Sequence, residues 1–171
     1  MKALIIYESL FGNTEKVAEA IADGLRESYE VTVADVAGMP RASGVDLLVV
    51  GGPTHAFGMT RPATRRQAGQ QGDVRPGAVT AGLREYFDSA PSLHGVPAAA
   101  FDTKVNKPLL PGSAARAAQR RLRGLGCRIL MPAEHFLVTG TPGPLAPGEE
   151  DRARRWGAGL AAVAATGKHR V

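Results

Sequence analysis

Short apolar runs alternate along the chain with segments in which apolar residues recur at helical spacing. Residues 2–7 are continuously apolar after Lys2, and residues 45–50 and 96–101 are two further short runs rich in apolar residues. Runs of this kind are typical of parallel strands that are buried on both faces. Residues 30–35 instead alternate between polar and apolar positions, which predicts a strand near a sheet edge.

Other segments predict helices, either from the spacing of their apolar residues or from the signals at their ends. These helices are expected at residues 15–25, 60–70, 81–89, 114–125 and 149–164. Ser113 is the expected N-cap of the fourth helix, and Gly124 or Gly126 is expected to end it. Between the second and third strands only a short link is predicted. Residues 127–131 and 135–138 predict a fifth strand in two pieces, because Pro132 breaks the apolar run.

This order of strands and helices predicts an α/β protein: one domain over residues 1–171, with a doubly wound, five-stranded parallel sheet and helices on both faces. In such folds ligands bind beyond the carboxyl ends of the strands, at the point where the strand order reverses. Residues 9–14 and 53–59 both follow predicted strands. Both segments are therefore candidates for a binding site.

The segment between the first strand and the first helix has the composition of a phosphate-binding loop. It reads Ser9-Leu10-Phe11-Gly12-Asn13-Thr14. A helix N-terminus offers unpaired N–H groups and a positive dipole, two hydroxyls add donors, and Gly12 allows a close approach of the backbone. Asn13 or Thr14 is expected to cap the helix. The alternative is an ordinary strand-to-helix turn, and neither a dinucleotide fingerprint nor a Gly-Lys-Ser/Thr triphosphate loop is present.

Composition narrows the class of protein. The 171 residues are 44% hydrophobic and 22% charged, as expected of a globular chain long enough for one sizeable core. No apolar run is long enough to cross a membrane and the start of the chain has no signal-peptide pattern, so we expect a cytoplasmic protein without membrane association. The single Cys127 and the four histidines show no metal-ligand spacing, so no metal site is predicted.

Charge is distributed unevenly along the chain. Residues 1–60 carry a net charge of −4 and residues 61–171 a net charge of +9. A basic half is compatible with nucleic-acid binding, but no aromatic residues interleave with the arginines as stacking platforms would require. The arginines of residues 116–123 fall between the apolar positions of a helix and are expected to solvate its outer face. We therefore do not predict nucleic-acid binding.

The first loop resembles the phosphate loop of flavodoxins. That family has Ser-x-x-Gly-Asn-Thr followed by an acidic residue, which Ser9, Gly12, Asn13, Thr14 and Glu15 match, and the order of elements is similar over essentially the whole chain. The resemblance implies a flavodoxin-like fold in which this loop holds the phosphate of flavin mononucleotide (FMN).

The resemblance also implies two further loops that flank the flavin ring. The second would contain Pro53, Thr54, His55, Phe57 and Gly58, where His55 and Phe57 are the rings that could stack on the flavin. A glycine there could let the Phe57–Gly58 peptide reorient when the flavin is reduced. The alternatives are a core position for Phe57 and a surface position for His55.

The third loop departs from the family. It would contain Asp102, Thr103 and Lys104, but it lacks the tyrosine that flavodoxins typically place there. Asp102 and Thr103 could still bond the pyrimidine edge of the ring. Asp102 could instead be a loop cap and Lys104 a solvated surface residue.

By resemblance, the chain is expected to pass electrons between redox partner proteins, with FMN as cofactor and no catalytic residue of its own. The alternatives are an FMN-dependent quinone-type reductase using a nicotinamide donor, and a flavin-free binding module of the same fold. Typical flavodoxins are acidic, whereas Arg61, Arg65, Arg66 and Lys104 are expected around the flavin rim here. This basic rim predicts partners with acidic docking surfaces and a less negative potential for the fully reduced flavin.

Overall fold

The structure is a computed structural model that describes residues 1–55, 58–75, 77–107 and 111–167. The strands in this part of the chain are β1 (Lys2–Tyr7), β2 (Glu30–Asp35), β3 (Leu47–Pro53), β4 (Pro97–Val105), β5 (Arg128–Ile129) and β6 (Glu134–Val138). The helices are α1 (Asn13–Leu25), α2 (Pro62–Gln71), α3 (Leu83–Ser89), α4 (Ala114–Gly124) and α5 (Glu149–Gly167), with a 3-10 turn at Val36–Gly38. Of the sequence-predicted site residues, only Phe57 lies outside the described residues.

The strands form one parallel sheet in the order β2-β1-β3-β4-β5, and β6 also pairs with β4. β5 pairs with the start of β4 and β6 pairs with its end, so the fifth position of the sheet is filled by two short strands. This confirms the predicted five-stranded parallel sheet with an interrupted last strand. β2 lies at an edge, which explains its alternating sequence.

Helices cover both faces of the sheet because successive strand residues point to opposite sides. Ile5, Val49 and Phe101 face α1 and α5, whereas Ile6, Val50 and Ala100 face α3 and α4. On the first face the Phe101, Phe136 and Trp156 rings pack edge to face, with centroids 6.1–6.3 Å apart. The doubly wound α/β architecture is therefore confirmed.

Two strands run further than the sequence predicted. β3 continues to Pro53, and β4 continues to Val105 because it pairs with β3 on one side and β6 on the other. Residues 102–104 therefore belong to a strand, and the prediction that they form a loop is wrong. No helix among the described residues combines the length and the apolar character that a membrane crossing requires.

Candidate functional site

The turn between β1 and α1 depends on Gly12. Its φ of +97° lies in the left-handed region, where a side chain would be strained, and the Ser9 hydroxyl accepts its N–H at 3.0 Å. Gly12 is itself the N-cap of α1, so the prediction that Asn13 or Thr14 caps the helix is wrong. Those two side chains instead bond to other segments: Asn13 Nδ2 donates to the carbonyl of Pro142 at 3.1 Å, and the Thr14 hydroxyl bonds to that of Thr103 at 2.9 Å.

The first turn of α1 keeps free hydrogen-bond donors. Within the described part of the chain, the backbone N–H groups of residues 13–15 have no hydrogen-bond partner, and the first main-chain bond of the helix is donated by Lys16 to the carbonyl of Gly12. Unpaired N–H groups at the positive end of a helix dipole form a site for an anion. The turn therefore fits a phosphate without needing a cationic side chain.

A cleft of about 250 Å³ opens beside this turn, at the carboxyl ends of the strands. Its walls come from the turn, from the ends of β3 and β4, from α2 and from residues 138–141. The lining residues are Ser9, Leu10, Phe11, Asn13, Thr14, Pro53, Thr54, His55, Thr64, Gln67, Ala68, Gln71, Thr103, Lys104, Val105, Val138 and Thr141. The three predicted segments thus meet around one cleft, although the chain separates them by up to about ninety residues.

His55 also lines the cleft. Its backbone exchanges two hydrogen bonds with that of Gly58, at 2.9 and 3.0 Å. Burial, and then the nearby Arg65 guanidinium, lower the pKa of His55 below its ordinary value, because both disfavour the charged imidazole. His55 therefore offers the cleft a neutral aromatic ring at pH 7.

Asp102 lies outside the lining of the cleft. It is fully buried, and its carboxylate accepts hydrogen bonds from the Thr54 hydroxyl at 3.0 Å, the Ser113 hydroxyl at 2.7 Å and the Ala115 N–H at 3.1 Å. His135 Nδ1 lies 2.9 Å from its other oxygen. A carboxylate with four partners inside the protein supports the start of α4 next to its N-cap Ser113, so Asp102 is a buried strand residue and not the loop cap given as its alternative. Asp102 acts on the cleft through Thr54, which it holds in place.

Arg65 does not lie on the rim, and that prediction is wrong. Its side chain is fully buried on the α3 side of the sheet, where it forms an ion pair with Glu85 and donates to the Thr60 hydroxyl at 2.9 Å. Thr60 in turn donates to Glu8 at 2.5 Å, and the other Glu8 oxygen accepts the Leu83 N–H at 2.8 Å. Burial raises the pKa of Glu8, because Thr60, Leu83 and Arg65 only partly offset its desolvation.

Arg84 holds the same segment from the other side. Its guanidinium donates to the carbonyls of Met59 and Thr60 at 3.1–3.3 Å, beside Gly58. Burial, then Arg61 and Arg121, lower the pKa of Arg84, so these arginines lie close enough to repel one another. Arg61, Arg84 and Arg121, called here the arginine cluster, form a positive surface next to the second loop.

The sequence predicted only arginines of this segment near the ligand, but the residues of α2 that line the cleft are Thr64, Gln67, Ala68 and Gln71. Their spacing of three, four and seven residues puts them on one helix face. The amphipathic signal was weak because most of this face is polar, and Arg65 and Ala68 are the buried residues of the helix.

Cys127 offers no second site. It is buried, and burial raises the pKa of its thiol, so it behaves as a core residue. No group of three or more potential metal ligands occurs among the residues that the structure describes.

Comparison with known proteins agrees with this geometry. Residues 4–66 match the model of the flavodoxin domain family. A flavodoxin from the domain Archaea is 21% identical, with 96% of this chain and 99% of that chain covered at a TM-score of 0.68. Flavodoxin 1 from Bacillus cereus is 22% identical, with 95% of this chain and 98% of that chain covered at a TM-score of 0.67. A flavodoxin from Streptococcus pneumoniae is 17% identical, with 95% of this chain and 99% of that chain covered at a TM-score of 0.67. The chain therefore has a flavodoxin-like fold, and its first part matches the flavodoxin domain family.

Proposed function

We propose that the chain binds FMN in the cleft and carries electrons between redox partner proteins. The observation that carries this proposal is the turn at residues 9–14, whose unpaired N–H groups adjoin a cleft that His55 and Lys104 also line. FMN needs such a combination, because it carries one phosphate and one aromatic ring, joined by a short chain. When bound, the flavin would supply the redox chemistry, since it can take up and release electrons one at a time.

The hydroxyls of the turn are arranged to donate to the phosphate. Ser9 already accepts the Gly12 N–H, so its own O–H is free to point at an anion. Thr103 is buried and can donate its hydroxyl hydrogen to Thr14, which leaves the Thr14 O–H for the same anion. These donors, with the N–H groups of α1, hold the phosphate without a lysine or arginine.

The arginine cluster would receive the partner protein. Arg61 is exposed, Arg84 borders the second loop, and Arg121 is paired with Asp88, so Arg61 and Arg84 supply most of the positive charge there. A partner with an acidic surface would be steered to this side of the cleft, where the ring end of the flavin would lie.

The same charges bear on the redox potential. A cation several ångströms from the anionic, fully reduced flavin stabilises it by about 1–4 kcal/mol, depending on screening. Since about 1.4 kcal/mol corresponds to roughly 60 mV for one electron, we expect the second reduction potential to be less negative than in an acidic flavodoxin. A redox titration that finds a strongly depressed second potential contradicts this expectation.

FMN binding is tested by titrating the protein with FMN and with riboflavin, which lacks the phosphate. We expect the protein to quench FMN fluorescence and to bind riboflavin at least about 100-fold more weakly, the equivalent of about 2.7 kcal/mol for several hydrogen bonds to one charged group. Ser9→Ala should weaken FMN binding and leave riboflavin binding unchanged, whereas Ser28→Ala, at an exposed serine beyond α1, should change neither. No uptake of either flavin, or equal affinity for both, would overturn the proposal.

The docking surface is tested with small oxidants of opposite charge. The reduced, FMN-loaded protein should react faster with ferricyanide than its driving force alone predicts, and added salt should slow this reaction while speeding that of a cationic cobalt ammine complex. Arg61→Glu/Arg121→Glu should weaken both salt effects. The control is Arg155→Glu, on α5 at the other face of the sheet. Salt dependences that the double variant leaves unchanged would place the docking surface elsewhere.

A further inference from the structure

Helix α2 presents an unusual wall to the cleft because its lining face carries two side-chain amides. Gln67 and Gln71 line the cleft one helical turn apart, with Ala68 buried between them. Both glutamines are exposed, and neither amide has a hydrogen-bond partner in the part of the chain that the structure describes. Each amide therefore presents two N–H donors and one carbonyl acceptor that are free to bind a ligand.

The start of α2 is fixed beside the second loop. Arg65 reaches away from the cleft into the buried cluster with Glu85 and Thr60, while Arg84 holds the carbonyls that precede the helix. A fully buried guanidinium with an ion pair and a hydroxyl partner leaves the helix little freedom to rotate. The glutamine face is thereby directed at the cleft.

The end of α2 is fixed beside the phosphate-binding turn. A Cβ built on Gly72 would lie 3.2 Å from the Phe11 ring, so the backbone there packs closely on the turn. Beyond it, the Arg75 N–H donates to the carbonyl of Leu10 at 3.0 Å and the Arg75 guanidinium forms an ion pair with Glu15. The helix therefore runs from the ring end of the cleft to its phosphate end.

This direction assigns a position along the ligand to each side chain. Residues 64 to 71 span about 10 Å at the helical rise of about 1.5 Å per residue. Thr64 lies towards the second loop, Gln71 lies beside the turn, and Gln67 lies between them. In a ligand that has a ring at one end and a phosphate at the other, the part facing Gln67 is the chain that joins them.

We propose that Gln67 and Gln71 bind the hydroxyl groups of the polyol chain that joins the flavin ring to its phosphate. This inference rests on the proposed FMN binding and adds a fourth contact element to it. An amide can donate to one hydroxyl and accept from the next, which matches the alternating donors and acceptors of a polyol. Gln67 acts on the middle of the chain, and Gln71 acts on the hydroxyl nearest the phosphate.

The test compares three ligands that differ by one part each: FMN, riboflavin, which lacks the phosphate, and lumiflavin, which also lacks the polyol. Gln67→Ala should weaken the binding of FMN and of riboflavin by about tenfold each, which is the effect of losing one to two neutral hydrogen bonds. It should leave the affinity for lumiflavin unchanged. The matched control is Gln70→Ala, which removes the same side chain from an exposed position of α2 outside the lining. It should leave all three affinities unchanged.

A second variant adds a charge instead of removing a contact. Gln71→Glu places a carboxylate next to the phosphate-binding turn, so it should weaken the binding of FMN by a larger factor than the binding of riboflavin. Gln67→Glu should show a smaller difference between these two factors. Circular dichroism of each variant checks that α2 and the sheet are retained.

The outcomes separate the two proposals. If the wild-type protein binds none of the flavins, FMN binding itself fails, and the polyol contact fails with it. If the wild-type protein binds FMN and the Gln67→Ala and Gln70→Ala variants have the same affinity for every ligand, only the polyol contact is overturned. Equal weakening of all three ligands by Gln67→Ala also overturns it, because that result would place the amide against the ring.

Discussion

Replacing Arg65 with methionine tests the buried polar cluster that holds α2 against the sheet. Methionine has a similar length and flexibility but no charge and no hydrogen-bond donor. The substitution removes the ion pair with Glu85 and the hydrogen bond to Thr60, and it leaves Thr60 bonded to Glu8. We expect Arg65→Met to destabilise the folded protein.

The expected loss in the free energy of unfolding follows from the surroundings of Arg65 and Glu85. Removing one member of a buried ion pair costs about 3–5 kcal/mol when the other charge remains buried. Glu85 is 32% exposed, so water can replace part of what it loses. The buried Nε–H of Arg65 has no partner among the described residues, and removing it relieves a cost of about 1–3 kcal/mol. The net loss should therefore be about 2 kcal/mol, or about 4–8 °C in Tm for a chain of this size.

Urea unfolding at pH 7, followed by circular dichroism, measures this loss. The matched control is Arg66→Met, at the neighbouring exposed position of α2, which should change the free energy of unfolding by less than about 0.5 kcal/mol. Glu85→Gln should cost less in the Arg65→Met background than in the wild type, because its partner has already gone. The reasoning is refuted if Arg65→Met is no more destabilising than Arg66→Met, or if the Arg65 and Glu85 changes add independently.

Three further changes test other parts of the site. Because burial raises the pKa of Glu8, the folded protein keeps a proton that the unfolded chain loses, so the free energy of unfolding should fall as pH rises from the ordinary glutamate pKa through the raised one. Glu8→Gln should abolish this pH dependence in urea unfolding. A pH dependence that persists in Glu8→Gln would assign it to another group. Gly12→Ala puts a Cβ at φ +97°, which should cost about 1–2 kcal/mol of stability and weaken FMN in a fluorescence titration; unchanged affinity would remove the turn from the site. Asp102→Asn should lower the free energy of unfolding by about 2–3 kcal/mol, measured by urea unfolding, since it replaces a carboxylate acceptor that has four partners. FMN affinity of the folded protein should fall only slightly, because Asp102 reaches the cleft through Thr54 alone; a large loss of affinity without loss of stability would contradict its buried role.

The sheet was predictable because its signals are local. Each strand was visible as a short apolar or alternating run, and Pro132 marked the break between β5 and β6. The turn at residues 9–14 was predictable for a similar reason, since a glycine between an apolar run and an amphipathic segment marks the point where a strand gives way to a helix. The absence of a full helix between β2 and β3, in a stretch that the structure describes throughout, was also predicted correctly.

The remainder of the site depends on contacts between distant residues. Arg61, Arg65 and Arg66 are equivalent in charge, and only the position of Glu85 on α3 decides that Arg65 is the buried one. Ala68, three residues later on the same helix face, was a weak local signal for that burial. Asp102 was placed in a loop because its charge ended the apolar run, whereas the N-terminus of α4 supplies the partners that bury it.

The two buried polar clusters determine how charge acts on a ligand. One cluster keeps the Arg65 and Glu8 side chains out of the cleft, and the other keeps Asp102 out of it. Lys104 is therefore the single formally charged side chain in the described lining, since the lowered pKa of His55 leaves its ring neutral. A phosphate in this cleft would be bound at short range by neutral N–H and O–H donors, which salt weakens less than it weakens attraction between exposed charges. The arginine cluster lies outside the cleft, with Arg61 exposed and Arg84 and Arg121 half-buried, so its effect on an incoming partner is screened by salt. Added salt should therefore change the affinity for FMN little and lower the rate of association with the partner steeply. The two effects differ because the fold separates the donors that hold the ligand from the charges that attract the partner.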